Sequence, residues 1–287
     1  MKDIRQNLSA TVHYLARDIG PRSYRHIDNL NKAADHIENR FRSYGLATDR
    51  QTFTYSGQTY YNVIAEVKGT EASGGGILVI GAHYDTVADT PGADDNASGV
   101  AGLLELARLT ARNPLPRTVR FVAFTLEEPP TFMTSRMGSY VYAKSLREQH
   151  VDVYGMISLE MLGYYCDQKD CQYYPLPPFK WIYPDRGNFI AFVSNISSKM
   201  FTRKLKEAFK ASSSLPVESL SAPSAIPGVD FSDHRSFWKF GYPALMITDT
   251  AFYRNPNYHG PGDVPPTLDF DRMAELVRGL YKALTQL

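Results

Sequence analysis

Apolar side chains recur at Ile4, Leu8, Val12, Leu15 and Ile19. That spacing predicts a helix over residues 3–19, stopped by Gly20-Pro21. Leu30, Ala33, Ala34, Ile37 and Phe41 share one face of a second helix, 29–44, which Gly45 ends. The period then changes. Residues 51–55 and 60–67 read as strands around Ser56-Gly57, and Gly74-Gly75-Gly76 reads as a turn. Ile77-Leu78-Val79-Ile80-Gly81-Ala82 is apolar without alternation, as expected of a strand buried on both faces. Further strands are predicted at 118–125, 153–159, 189–193 and 243–248, and helices at 97–111, 140–149, 197–211, 234–240 and 271–284. Strands and helices alternate. The expected fold class is therefore α/β, with a central mixed, mostly parallel sheet sandwiched between α-helices in a single domain over residues 1–287. The Pro- and Tyr-rich stretch 164–187 reads as an ordered loop over the sheet.

Composition narrows the partners. The formal charge is +1, so a basic footprint for nucleic acid is lacking, and there is no acidic tail. No apolar run approaches the roughly 18 residues that span a bilayer, so no membrane partner is expected. Met1-Lys2-Asp3-Ile4-Arg5 lacks the apolar centre of a signal peptide, which suits a cytoplasmic protein as written, or a mature secreted or periplasmic form. Cys166 and Cys171 leave two readings open, a small disulfide loop or two free thiols. Nothing in the sequence sets an oligomeric state.

The chemistry gathers at the ends of the predicted strands, where open α/β sheets carry their sites. His83-Tyr84-Asp85 follows the strand that ends at Ala82, Glu127-Glu128 follows 118–125, Glu160 follows 153–159, and His259 lies beyond 243–248. Gly92-Ala93-Asp94-Asp95-Asn96 opens the helix at 97. Singly, each has a plainer account: His83 as a core histidine, Asp95 and Asn96 as helix caps, Glu127-Glu128 as a solvated strand end. Together they crowd carboxylates at one buried edge, which is costly without a compensating cation. Nitrogen and oxygen donors without thiolates suit a catalytic zinc site.

These segments, with Leu159-Glu160-Met161-Leu162-Gly163, Ser232-Asp233-His234-Arg235-Ser236-Phe237 and Tyr258-His259-Gly260-Pro261-Gly262-Asp263, resemble in order and spacing the co-catalytic zinc aminopeptidase family. That superfamily includes glutamate carboxypeptidases and glutaminyl cyclases, and the resemblance runs from about residue 60 to 270. It implies a zinc exopeptidase (phosphorylase/hydrolase-like) fold, two Zn2+ ions and peptide substrates. His83, Asp95 and Glu160 would hold one ion, and Asp95, Glu128 and His259 the other. Glu127 would be the general base, Asp85 would orient His83, Tyr258 would steady the oxyanion, and Asp233-His234 would support without ligating.

The chain departs from the family pattern at two places. Glu stands at 160 where the best-known aminopeptidases carry Asp; there it resembles the cyclases, which use one zinc. The segment Pro129–Met137 is longer than usual, placing Phe132, Met133 and Met137 at the pocket or on a surface loop. The activity expected is hydrolysis at a free peptide N-terminus, with a one-zinc glutaminyl cyclase as the alternative. A carboxypeptidase is a minor alternative, with Arg254 as the clamp for a terminal carboxylate. Tyr164, Tyr165, Phe179, Trp181 and Tyr183 read as an aromatic pocket wall or as core packing.

Overall fold

The computed structural model describes residues 2–71 and 75–287; Gly74 of the predicted glycine turn lies outside the described residues. Among the described residues eight strands form one sheet: β1 Thr48–Tyr55, β2 Gln58–Val67, β3 Ile77–His83, β4 Val119–Phe124, β5 Val153–Glu160, β6 Ile190–Ser194, β7 Val217–Ser221 and β8 Ala244–Thr248. Their order is β1-β2-β4-β3-β5-β8-β6-β7. The pairs β4–β3, β3–β5, β5–β8 and β6–β7 are parallel, while β1–β2, β2–β4 and β8–β6 are antiparallel. The sheet is thus mixed, with its parallel strands central. Strand β7 was not expected from the sequence.

The helices are α1 Lys2–His13, α2 Ile27–Ser43, α3 Gly99–Arg112, α4 Gly138–Glu148, α5 Lys199–Ser212, α6 His234–Lys239 and α7 Phe270–Leu284. The predicted helix 3–19 is split: α1 ends at His13 and a wider, π-type turn runs over Tyr14–Ile19. Strand β3 explains its own unbroken apolar run. Leu78, Ile80 and Ala82 join the large core under α1, α2, α3, α5 and α7, while Val79 joins a second core with Tyr142 and Leu146 of α4 and Phe237 of α6. Both faces are covered, so neither tolerates a polar side chain. No helix among the described residues is long and apolar enough to cross a membrane.

The loop 164–187 is tied down at both ends of a pinch. Cys166 and Cys171 form a disulfide, and Cys166 bridges to Gly187 across an isolated antiparallel contact.

Candidate metal centre

Four strand ends and one helix start converge. β3 ends on His83 and β5 on Glu160; β4 stops at Phe124, which sends Glu127 and Glu128 past the sheet edge. Asp95 lies in the wide turn Ala93–Ser98 that opens α3, and His259 in the loop after β8. His83 Nε2 is 3.3 Å from Asp95 Oδ1 and 3.2 Å from Glu160 Oε2. His259 Nε2 is 3.1 Å from Asp95 Oδ2 and 3.5 Å from Glu128 Oε1. Asp95 therefore faces both histidines, one carboxylate oxygen to each. Three sets of donor atoms gather closely enough for an ion: His83/Asp95/Glu160, Asp95/Glu128/His259 and His83/Glu127/Glu128.

These distances fit a cation. Tetrahedral zinc, with bonds of about 2.0–2.1 Å, holds neighbouring ligand atoms about 3.3 Å apart. The charge balance agrees. His83 Nδ1 sits 3.1 Å from the main-chain oxygen of Asp85, an acceptor only, so the neutral ring keeps its proton on Nδ1. Nε2 then turns a lone pair towards two carboxylates. Burial alone would make His83 harder to protonate, yet Glu160, Asp85 and Asp95 pull its pKa well above the usual value. Glu128 rises to about 8 through burial and the neighbouring Asp95, against the pull of His259. Burial likewise holds Glu127 well above the carboxylate range, with Glu128, Glu160 and Asp233 adding to it against His83. Each shift has the same cause: buried anions that protein atoms alone do not balance. Asp95 Oδ1 is buried and accepts no hydrogen bond.

The Asp85 carboxylate is placed differently from expectation. It lies 3.6 Å from His83 Nδ1 and instead accepts the main-chain N–H groups of Glu127 and Glu128, each at 3.1 Å. It thus pins the strand end that carries both glutamates. Tyr258 stacks on His259 with ring centroids 3.7 Å apart. Burial, then Asp95 and Glu128, push its phenol far up, so it is a hydroxyl donor at any working pH.

Several further residues support this arrangement, and the sequence alone assigns no role to Asp263, Asp94 or Ser232. Asp263 accepts the N–H groups of Asp94 and Asp95, while Asp94 accepts from Gly163 N and Asn255 Nδ2. Asn96 bridges the same turn to β5 through Leu159 O and Met161 N. Ser232 donates to Glu160 Oε2 at 2.7 Å and contacts Ser158 Oγ at 2.9 Å. Asp233 is fully buried with neither oxygen hydrogen-bonded; burial, with Glu160 and Asp85 near, raises it to about 7 against His83. Its neighbour His234 bonds Val229 O and takes no part in the donor sets. The position of Asp233 beside Glu160 is a product of tertiary packing. The family resemblance implies that Asp233-His234 supports the site without ligating, and neither residue is in a donor set.

Arg22 is the firmest of these supports. Its guanidinium, wholly buried, donates to the carbonyls of Leu15, Gly20, Tyr84, Pro91 and Gly92. It joins the first helix to the turn carrying Asp95. Burial lowers its pKa to about 10, with Asp263 the largest opposing charge, so it stays charged. Arg22→Met strands five carbonyls, and we expect a loss of about 3–5 kcal/mol in chemical unfolding. A loss under about 1 kcal/mol would mean that the carbonyls are rehydrated at little cost. Gly99 is required for a related reason. A Cβ there would collide with Asn96 Oδ1 and Leu159 O, so only glycine lets α3 start against β5.

A cavity opens from Glu160 and Tyr258 and runs along the sheet. Of the aromatic residues expected at its wall, Phe179 and Tyr183 line it, joined by Tyr173 and Tyr174; Tyr164 and Tyr165 do not. Trp181 does not line it either: its side chain is 84% exposed, because the short turn Pro177–Trp181 directs it to solvent. Arg254 is also turned away from the cavity. It is buried and donates to Gln172 Oε1 and to the carbonyls of Tyr164 and Phe189. Phe132, Met133 and Met137 are outside the lining; Phe132 packs edge-on against Phe231, which is part of it.

The profile of peptidase family M28 matches residues 62–283. The chain belongs to that family. Membership makes it a metallopeptidase, hence a hydrolase. The family M28 chain is 46% identical to the uncharacterized protein YfbL of Escherichia coli K12, over 97% of this chain and 87% of that one. It is 27% identical to a probable leucine aminopeptidase of Arthroderma otae, over 79% of this chain and 56% of that one. It thus spans about half the length of that relative. Among solved structures, BSAP, a zinc aminopeptidase from Bacillus subtilis, superposes with a TM-score of 0.75 at 16% identity, covering 96% of this chain and 94% of that one. A glutaminyl cyclase from Bacteroides thetaiotaomicron does so with a TM-score of 0.73 at 16% identity, covering 99% and 98%. At such identities these two likenesses concern the fold.

Proposed function

We propose that residues 1–287 act as one catalytic unit, a zinc aminopeptidase that removes residues from the N-termini of peptides using two metal ions. The observation that carries this reading is the pair of donor sets sharing Asp95, with N···O separations of 3.1–3.5 Å. His83, Asp95 and Glu160 would hold one ion; Asp95, Glu128 and His259 the other. When bound, the ions acidify water and polarise the scissile carbonyl. The remaining work falls to protein groups. Glu127 takes a proton from the attacking water and passes it to the leaving amine. It can do so only as a carboxylate, which in this anionic, buried surrounding requires nearby positive charge. Asp85 holds Glu127 and Glu128 in place through their main-chain N–H groups. Tyr258 donates to the oxyanion. Arg254, the arginine that a carboxypeptidase would need, does not line the cavity and donates to Gln172 and the Tyr164 and Phe189 carbonyls.

Metal content and turnover test this together. Protein re-equilibrated with zinc is expected to carry close to two ions per chain and to hydrolyse aminoacyl amides. A chelator should abolish this activity and zinc restore it. One zinc per chain with ring closure of an N-terminal glutamine substrate would replace this reading with a cyclase. Activity that survives exhaustive chelation would remove the metal mechanism.

A further inference from the structure

The cavity that leaves the metal centre is not closed by an apolar wall. Glu160, Thr248, Ala191 and Glu218 are direct register partners on four successive strands, β5, β8, β6 and β7. Residues paired in this way point to the same face of a sheet. They form a straight floor from the metal ligand Glu160 to Glu218, and all four line the cavity. Three strand spacings of about 4.8 Å make its length roughly 14 Å. The middle of this floor is low, since Ala191 and Thr248 carry small side chains. Above it stand the rings of Phe179, Tyr174 and Tyr183. Tyr174 stacks on Tyr183 with centroids 5.7 Å apart, and Tyr183 is fixed by a hydrogen bond to Ser219 O, next to Glu218. Among the described residues, the one ion-pair partner of the Glu218 carboxylate is Lys206 Nζ, at a long 3.5 Å. Lys206 itself is hydrogen-bonded to Ser219 Oγ at 3.1 Å.

We infer that Glu218 is a specificity-determining residue, and that the cavity selects an N-terminal residue with a long stem and a cationic head, arginine or lysine. This inference rests on the aminopeptidase reading. The aromatic rings accommodate the methylene stem, and their faces attract a cation in the same place as the carboxylate. A leucine side chain ends within the first part of the floor and leaves Glu218 unused. An unbranched apolar stem fills the middle but forgoes the charge-assisted bond to Glu218, whose existing contact with Lys206 is long.

Norleucine is the decisive comparison because it has the stem without the charge. Wild-type protein is expected to show higher kcat/KM for arginine and lysine amides than for norleucine amide. Glu218→Gln is expected to lower the arginine-to-norleucine ratio by about 10-fold, the order of a charge-assisted hydrogen bond. Lys206→Met, which removes the competing ammonium, is expected to raise it. A preference for norleucine that Glu218→Gln leaves unmoved would overturn the inference while leaving an aminopeptidase. If no amide is turned over, the aminopeptidase reading fails on its own, and binding of n-butylguanidinium by calorimetry decides the rest. Binding weakened by Glu218→Gln supports the cation pocket; equal binding in both proteins overturns it.

Discussion

Glu127→Gln is expected to keep the full zinc content of the wild-type protein and to lower kcat on aminoacyl amides by about 10³-fold, within the range that a positioned acid–base group supplies. The argument is one of division of labour at the end of β4. Glu127 and Glu128 are adjacent, buried, and held by the same Asp85 carboxylate through their N–H groups. Both lie past the end of β4 with a carboxylate oxygen near His83, so their partners, and not strand alternation, divide the tasks. Glu128 lies 3.5 Å from His259 Nε2 and shares a donor set with Asp95, whereas no ion pair ties Glu127 to either histidine. Glutamine keeps the shape of Glu127 and removes its basicity. The change should therefore appear in kcat more than in KM. Unchanged turnover would remove Glu127 as the base. Lost metal would instead place it among the ligands, as the alternative set His83/Glu127/Glu128 allows.

Much of this site was legible because its residues fall where the hydrophobic pattern stops. The apolar run of β3 ends at His83 and that of β5 at Glu160, so finding the strands also found the ligands. The edge strand β7 was not legible for the opposite reason. Val217–Ser221 is mostly half-buried, with only two apolar residues, because a strand at the sheet edge has one neighbour and little to cover. Missing it hid Glu218, whose importance comes from register across four strands. Arg254 and Trp181 show the limit of composition as evidence. A lone cation near a ligand and an indole in an aromatic loop both suggested substrate contacts. One donates to three acceptors and lies outside the cavity lining, and the other points to solvent. Arg22 lies far from the motifs in sequence, and no local pattern marks a side chain whose five partners are main-chain carbonyls.

Asp95→Ala is expected to lose at least one ion and essentially all turnover. Asp95 is common to the sets His83/Asp95/Glu160 and Asp95/Glu128/His259, with Oδ1 towards His83 and Oδ2 towards His259. If Asp95 holds both ions as proposed, its removal would take a bond from each, so the weakening should exceed the about 10–100-fold that loss of an outer hydrogen bond to a ligand costs. Asp85→Asn, which disturbs only such outer bonds, gives the scale for comparison. Stability separates a metal role from a structural one. The turn around Asp95 is held by Asp263, Asp94 and Asn96 through bonds that do not use the Asp95 side chain. Without metal, however, burial alone would raise the carboxylate, yet it also pairs with both histidines, which hold it well below the usual carboxylate range. Metal-free Asp95→Ala should therefore melt somewhat lower than metal-free wild type, so the metal role is read from the zinc-induced rise. Zinc should then stabilise the wild type, by about 4 kcal/mol at a thousandfold excess over Kd, and the variant far less. Full metal content in the variant would break the assignment of Asp95 as the shared ligand. A zinc-induced rise as large in the variant as in the wild type would show that its carboxylate serves the fold instead.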